Sequence, residues 1–352
     1  MWPRRDLLDL LGIDVPVIQA PMAGFSTPDL AAAVANAGGL GSIGCAQMTP
    51  LKLEEAIEAT RGRTNRPVSF NFLLFEAPRP EPERAARMRA ALAPIFDELD
   101  LGPVPEPGLT MPVFGPAQLE VLIERRPPVV SFHLGLPAAG VIDRLKEAGI
   151  KLLLSATTVA EARAAEAAGA DVVVAQGVEA GGHRGCFDPD DDATIGTMAL
   201  VPQVVDAVSV PVVAAGGIAD GRGLAAAFAL GASGAQIGTA FLGCPEAATS
   251  RAHRRRLEAA AEAGTRITRL ISGRPARAIR NRLLDGLRSH EADAVAYPAQ
   301  LALTAPLRQR SADQDDDAFA SLWAGQAAAL ARPMPAAALV EALVRDARRI
   351  LG

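Results

Sequence analysis

A chain of 352 residues with 49% hydrophobic content can bury a full-sized core, either as one large α/β barrel with an appendage or as two ordinary domains. Its 35 basic and 40 acidic residues leave a net charge of -5, which argues against nucleic acid as the main partner, because neutralising phosphates needs a basic face. Cys45, Cys186 and Cys244 lack CxxC spacing, so neither a disulfide framework nor a structural zinc site is expected, and a reducing cytoplasm suits them.

The N-terminal MWPRRDLLDLLGI carries two arginines, but its apolar segment is short and broken by Asp9, so it does not read as a secretory signal. Eight short apolar runs then recur, bounded by Gly, Pro or polar residues: Val17 to Ala20, Gly41 to Ile43, Val68 to Phe72, Val129 to His133, Leu152 to Ser155, Val172 to Ala175, Val212 to Ala215 and Gly234 to Ile237. Runs of this length suit strands buried on both faces. Ala-rich segments with helix signals lie between most of them. Thr27-Pro28 sets a capping hydroxyl before a proline at the first helical position, and Gly38-Gly39 stops that helix. Thr158 with Glu161 fits a capping box, and Gly169 is placed to end the helix that follows. Strand and helix alternating eight times predicts an α/β fold of the closed parallel (β/α)8 TIM barrel type.

Two stretches depart from a bare barrel. Between Glu76 and Ala117 nine prolines surround a helical stretch from Glu83 to Leu99, which reads as an excursion (residues 76–117) from the barrel face. After strand eight, residues 246–324 carry SGRPARAIRNRL, the single tyrosine Tyr297 and the polar RQRSADQDDD. These predict a smaller, mainly helical second domain over the top of the barrel, covering the substrate. Residues 1–245 and 325–352 form the barrel, the latter returning as its last helix. Leu224 to Pro245 runs 22 residues without charge, but Gly231, Ser233, Gly234, Gln236, Gly238 and Thr239 interrupt it, so helix, loop and strand fit better than a membrane span. The basic run Arg251 to Arg256 reads as a solvated helix face. His253 and His290, in charged helical surroundings, read as surface residues.

Catalytic groups of such barrels gather at the carboxyl ends of the strands, and phosphate commonly sits after strands seven and eight. Those two loops read AAGGIADGRG and QIGTAF. Gly216, Gly217 and Gly238 can expose backbone N–H groups, Thr239 adds a hydroxyl, and a following helix N-terminus favours negative charge. Strand six runs into DVVVAQGVEAGGHRG, delivering Gln176, Gly181, Gly182 and His183 to the same rim. Strand one ends in QAPMAG and strand three in SFNFLL, which add Met22 and Asn71. Met22 with Asn71 and Gln176 can hold a flat heteroaromatic ring. Phosphate at one side and a ring at the other suggest flavin mononucleotide (FMN) rather than a sugar phosphate.

The segments QAPMAG, GGLGSIG, FHLGLP, QGVEAGGHRG, AAGGIADGRG and QIGTAF resemble the flavin-dependent nitronate monooxygenases, formerly 2-nitropropane dioxygenases, of the bacterial class I group. The resemblance runs from about residue 13 through SGRPAR and YPAQ to WAGQ at Trp323. It implies FMN held by Met22, Asn71, Gln176, Gly181, Gly182, Gly217, Gln236, Ile237, Gly238 and Thr239. It also implies His183 as the catalytic residue, with His133 and Tyr297 on the substrate side; for His133 a buried structural role stays open beside that contact.

An imidazole with a pKa near ambient pH can take the α-proton of a nitroalkane, or a donating His183 can hold an anionic nitronate. The family chemistry implied joins nitronate and dioxygen to give a carbonyl compound and nitrite, with propionate 3-nitronate as the implied substrate. No metal is expected: there is no HExxH, and Asp188, Asp190, Asp191 and Asp192 lack His or Cys partners and read as a solvated loop. The partners expected are thus a small nitronate or nitroalkane and dioxygen, with no nucleic acid and no membrane, in a monomer or homodimer. Rival readings on the same barrel are an FMN-dependent enoyl-acyl-carrier-protein reductase, an NAD(P)H:quinone reductase and a non-redox phosphate-binding enzyme.

Overall fold

In the computed structural model, which describes residues 2–109, 111–260 and 264–352, every one of the eight apolar runs becomes a strand. In chain order they are Val17–Gln19, Gly41–Gly44, Val68–Leu73, Val129–His133, Lys151–Ala156, Val172–Gln176, Val212–Ala215 and Gly234–Ile237, here strands one to eight. All pair in parallel, in the ring order one, eight, seven, six, five, four, three, two. The ring closes between strands one and two through a single bridge, Ile18 to Leu40. There the buried Gln19 side chain stands in for missing ladder bonds: its Oε1 accepts the Ser42 N–H at 2.9 Å. Helices cover the outside of this ring, which is why the strands are apolar along their whole length.

Local signals act as expected at most helix ends. The Thr27 hydroxyl accepts the Leu30 N–H at 3.0 Å at the start of helix Pro28–Asn36. Thr158 accepts the Glu161 N–H at 3.1 Å, and left-handed Gly169 (φ 105°) closes helix Val159–Ala168. The reciprocal half of that capping box is not made. Glu161 instead reaches to the Thr157 N–H (2.6 Å) and hydroxyl (2.7 Å) and to the Phe187 N–H (2.6 Å), tying the helix to the loop after strand six. The uncharged stretch 224–245 divides into helix Gly221–Ala229, strand eight and the single helical turn Thr239–Leu242. Among the described residues no helix is long and apolar enough to cross a membrane.

A second core lies apart from that of the barrel. Helix Pro82–Glu98, from the Pro-rich excursion, buries Ala85, Met88, Leu92 and Phe96 at three- and four-residue spacing. Its partners in that core come from the segment after strand eight, among them Leu283, Leu284, Leu303, Leu307 and Phe319. Besides its helices this part contains an antiparallel pair, Thr265–Thr268 with Ala276–Ile279. The free edge of the pair takes a two-residue strand from the loop after strand six, with Gly182 opposite Arg277 and His183 opposite Ala276. The final helix, Ala336–Leu351, returns to pack on helices Gly221–Ala229 and Pro28–Asn36.

One surface assignment is corrected. His253 is 1% exposed, because helix Arg251–Glu258 turns Ala252, His253 and Leu257 inward while Arg251 and Arg255 stay in solvent. Its ring meets Phe25 edge-on at 5.5 Å. Arg254 also leaves the solvated face, donating to the carbonyls of Gly243, Ala247 and Thr249. His290 remains partly exposed beside Asp293.

Candidate active site

A cavity of about 340 Å³ opens where the carboxyl ends of the eight strands meet the second core. Met22, Asn71, His133, Gln176, Gly181, Gly182, His183, Gly217, Gln236, Gly238, Thr239 and Tyr297 all line it. Ile237 does not: its side chain is 1% exposed in the barrel core, since alternate residues of strand eight face opposite ways.

The polar side chains at the strand ends are already fixed by neighbours. Asn71 Nδ2 donates to Ser131 Oγ at 2.9 Å and to the Ser131 carbonyl at 3.2 Å. Gln176 Oε1 accepts from the Gly185 N–H (2.7 Å) and Arg184 Nη1 (3.0 Å), while its Nε2 donates to the His183 carbonyl (3.0 Å). The Gln176 amide therefore has both oxygen lone pairs engaged and one N–H left for a ligand. His133 Nε2 donates to the same His183 carbonyl at 3.1 Å, so two side chains hold the backbone that carries the imidazole.

Arg184, which sequence reading passed over, anchors this arrangement. Its side chain is fully buried, donates to the Gly177 carbonyl at 2.9 Å, and meets Asp192 in a two-pronged ion pair, Nε to Oδ2 at 2.8 Å and Nη2 to Oδ1 at 3.1 Å. The reading of the acidic cluster as a solvated loop is thus corrected for Asp192, whose side chain is only 9% exposed, whereas Asp190 is 80% exposed. Burial alone would raise the Asp192 carboxyl, but hydrogen bonds from Arg184 and the Thr194 N–H hold it below the usual carboxylate range. Glu179 braces the same loop, accepting from the Thr197 N–H and hydroxyl.

His183 stands between the two parts of the molecule. Its Nε2 lies 3.0 Å from Ser272 Oγ, and its ring centre is 5.2 Å from Tyr297 and 5.3 Å from Trp323. Tyr297 in turn points its hydroxyl at Met111 Sδ, 3.1 Å away. Burial, and behind it the nearby His133 and Arg274, push the His183 imidazole down to about 3, and burial takes His133 to about 4. The expectation of a pKa near ambient pH is therefore corrected: both rings are neutral at pH 7, because a buried cation beside Arg274 is doubly unfavourable. Ser272 and Arg274 belong to SGRPAR, a segment visible in the sequence but without an assigned role there.

On the opposite lining, Gly216 and Gly217 adopt left-handed φ angles of 111° and 71°, which any side chain would strain. Thr239 Oγ1 accepts the Gly325 N–H at 2.9 Å, which leaves its own proton to donate. The helix N-terminus expected to favour an anion after strand seven is already filled by Asp220, which accepts the Arg222 N–H and pairs with its guanidinium. After strand eight the helix is a single turn.

This assembly can be set beside known proteins. The family model described as nitronate monooxygenase matches residues 4–346. The chain is 45% identical over 352 residues to a nitronate monooxygenase of Paraburkholderia phytofirmans, covering 98% of this chain and 96% of that one. It is 45% identical over 346 residues to a nitronate monooxygenase of Pseudomonas aeruginosa, covering 96% and 98%. Among solved structures, the nitroalkane oxidase of Streptomyces ansochromogenes superposes with a TM-score of 0.90 at 43% identity, covering 99% and 100% of the two chains. FabK from Thermotoga maritima does so with a TM-score of 0.77 at 32% identity, covering 98% and 96%. With a match of this extent on a barrel that gathers the same motifs round one cavity, the chain belongs to the nitronate monooxygenase family, oxidoreductases whose chemistry is the flavin-dependent oxidation of nitronates.

Proposed function

We propose that the cavity binds FMN and that the protein oxidises alkyl nitronates, propionate 3-nitronate and similar compounds, with dioxygen to a carbonyl compound and nitrite. The fit of the cofactor rests on the cavity itself. Its volume of about 340 Å³ falls in the roughly 300–1,000 Å³ span of small-molecule sites. At Gly181 an added Cβ would stand 2.5 Å from the Gly325 nitrogen, so that wall closes only round a glycine. Gly217, Gly238 and Thr239 would hold the phosphate. Met22, Asn71, Gln176, Gly181, Gly182 and Gln236 would hold the ring system, with Ile237 contributing through its backbone alone. When bound, FMN would supply the redox chemistry towards nitronate and dioxygen.

The observation that carries the reading is the partly buried imidazole of His183, held against Ser272, Tyr297 and Trp323 and lining the same cavity as the glycine loops. A neutral ring with one N–H can hold the negative nitro group of a nitronate. As a base it is weak, because its conjugate acid is disfavoured by burial and by Arg274. The site therefore suits a substrate that arrives already ionised, and neutral nitroalkanes should react poorly. Residues 246–324 act as the substrate cover in this reading, bringing Tyr297, Leu301 and Trp323 to the cavity.

The test is an absorbance spectrum of the purified protein, followed by anaerobic addition of a nitronate or of NAD(P)H. A yellow protein bleached by nitronate alone supports the proposal. Rapid bleaching by NAD(P)H without any response to nitronate would overturn it in favour of a reductase.

A further inference from the structure

Among the described residues lining the cavity, a single side chain carries a fixed charge, and it is Arg308 on helix Ala299–Gln314. No ion pair joins its guanidinium to a carboxylate of the described residues, although Arg310 two positions on pairs with Asp316. Nη2 donates to the Leu301 carbonyl at 2.9 Å, and Nε is buried without a hydrogen-bond partner. The buried arginines near the site are committed elsewhere: Arg184 to Asp192, Arg274 to the carbonyls of Cys186, Phe187 and Leu134, and Arg277 to the Val178 carbonyl, and none of the three lines the cavity.

Arg308 is partly exposed, but its Nε is out of water and no carboxylate of the described residues pairs with it, so partial burial lowers its hold on the proton with nothing to offset it. Such a group gains most from an anionic ligand. Two anions could enter this cavity, the phosphate of the cofactor and a charged group of the substrate. The bond to Leu301 decides between them, since Leu301 packs in one apolar cluster with Tyr297 and Met111, and Tyr297 touches the His183 ring. The phosphate-type loops at Gly217 and Thr239 are bounded instead by Glu179 and Gly325.

Resting on the function proposed above, we infer that Arg308 is a specificity-determining residue that binds a second anionic group, a carboxylate, on the nitronate substrate, while the nitronate end lies at His183. The fork of a guanidinium matches a carboxylate through two parallel N–H bonds, and three of the five Arg308 N–H groups sit on Nη1 and Nη2 beyond the one given to Leu301. Alkyl nitronates without a second anionic group enter the same cavity without using it.

The test uses FMN-loaded full-length protein and the variants Arg308→Gln and Arg308→Lys, with propionate 3-nitronate and propyl 2-nitronate as substrates. Arg308→Gln should raise KM for the carboxylated nitronate at least about thirtyfold with little change in kcat, and alter kcat/KM for propyl 2-nitronate by less than about threefold. Arg308→Lys should recover part of the loss. Calorimetry with succinate, an unreactive dianion, should show binding to the wild type weakened by a similar factor in Arg308→Gln, with FMN affinity unchanged. Equal losses on both nitronates, or an unaltered KM for propionate 3-nitronate, would overturn the inference. So would a drop in FMN affinity, which would give the guanidinium to the phosphate. Should neither nitronate bleach the wild-type flavin, the proposed function fails, and the succinate arm still decides whether Arg308 holds a carboxylate.

Discussion

Replacing Asp192 by Asn keeps the shape of the side chain and removes its charge, which isolates what the buried pair with Arg184 contributes. Arg184 is 0% exposed and Asp192 9% exposed, so water cannot replace the lost partner. The remaining acceptors of Arg184, the Gln176 and Gly177 carbonyls and Gln176 Oε1, are neutral dipoles already in use. Breaking a buried pair from one side costs about 3–5 kcal/mol, or roughly two to three and a half powers of ten in the folding equilibrium. Removing both charges together is far milder, because nothing is left uncompensated. Urea unfolding of the cofactor-free protein should therefore show Asp192→Asn losing several kcal/mol and Arg184→Met/Asp192→Leu regaining most of it. The single variant should also bind flavin more weakly, since Arg184, whose Nη1 anchors the Gln176 oxygen, loses the carboxylate that holds it in place. A single variant within about 0.5 kcal/mol of wild type, or a double variant as unstable as the single, would refute this account of the loop.

Three further outcomes are expected. His183→Asn should keep bound flavin but lose most of the remaining turnover of neutral nitroalkanes, with a smaller effect on nitronates; equal nitroalkane rates would remove His183 from its role. His133, His183 and His253 are held at about 4, 3 and 4, below the 6.5 of the unfolded chain, so the unfolded state binds more protons below that value. Stability of the cofactor-free protein should be full above pH 6.5 and fall on acidification towards pH 4, by at most about 4 kcal/mol per unit when all three contribute; a flat urea midpoint from pH 7 to 5 would contradict this. Gly181→Ala should weaken flavin binding at least about tenfold in a fluorescence titration, because its Cβ would push on the Ala324–Gly325 backbone.

The barrel was legible because parallel strands buried on both faces must be apolar throughout, so Val172 to Ala175 or Val212 to Ala215 stands out with no knowledge of its neighbours. The cavity-lining residues were legible where they sit at or near strand ends, as Asn71, His133 and Gln176 do. Groups that act across the fold were not. The strands Thr265–Thr268 and Ala276–Ile279 carry Arg266 and Arg277 within four-residue runs too short for a clear apolar alternation, and the third strand of their sheet comes from the distant loop at residue 182. Asp192 looks like any acidic loop residue until the chain folds it back on Arg184. His253 was misread because charge dominates its helix by count, while burial is set by which of three faces turns inward. Arg308 gave no local signal at all, since an arginine on a polar helix is ordinary until its surroundings are known.

The pairing of Gly182 and His183 with Arg277 and Ala276 means that the imidazole owes its position to two separately packed bodies, neither of which could present it alone. A chimera in which this barrel receives the segment after strand eight from a relative would inherit a new seat for the imidazole as well as a new wall of the cavity.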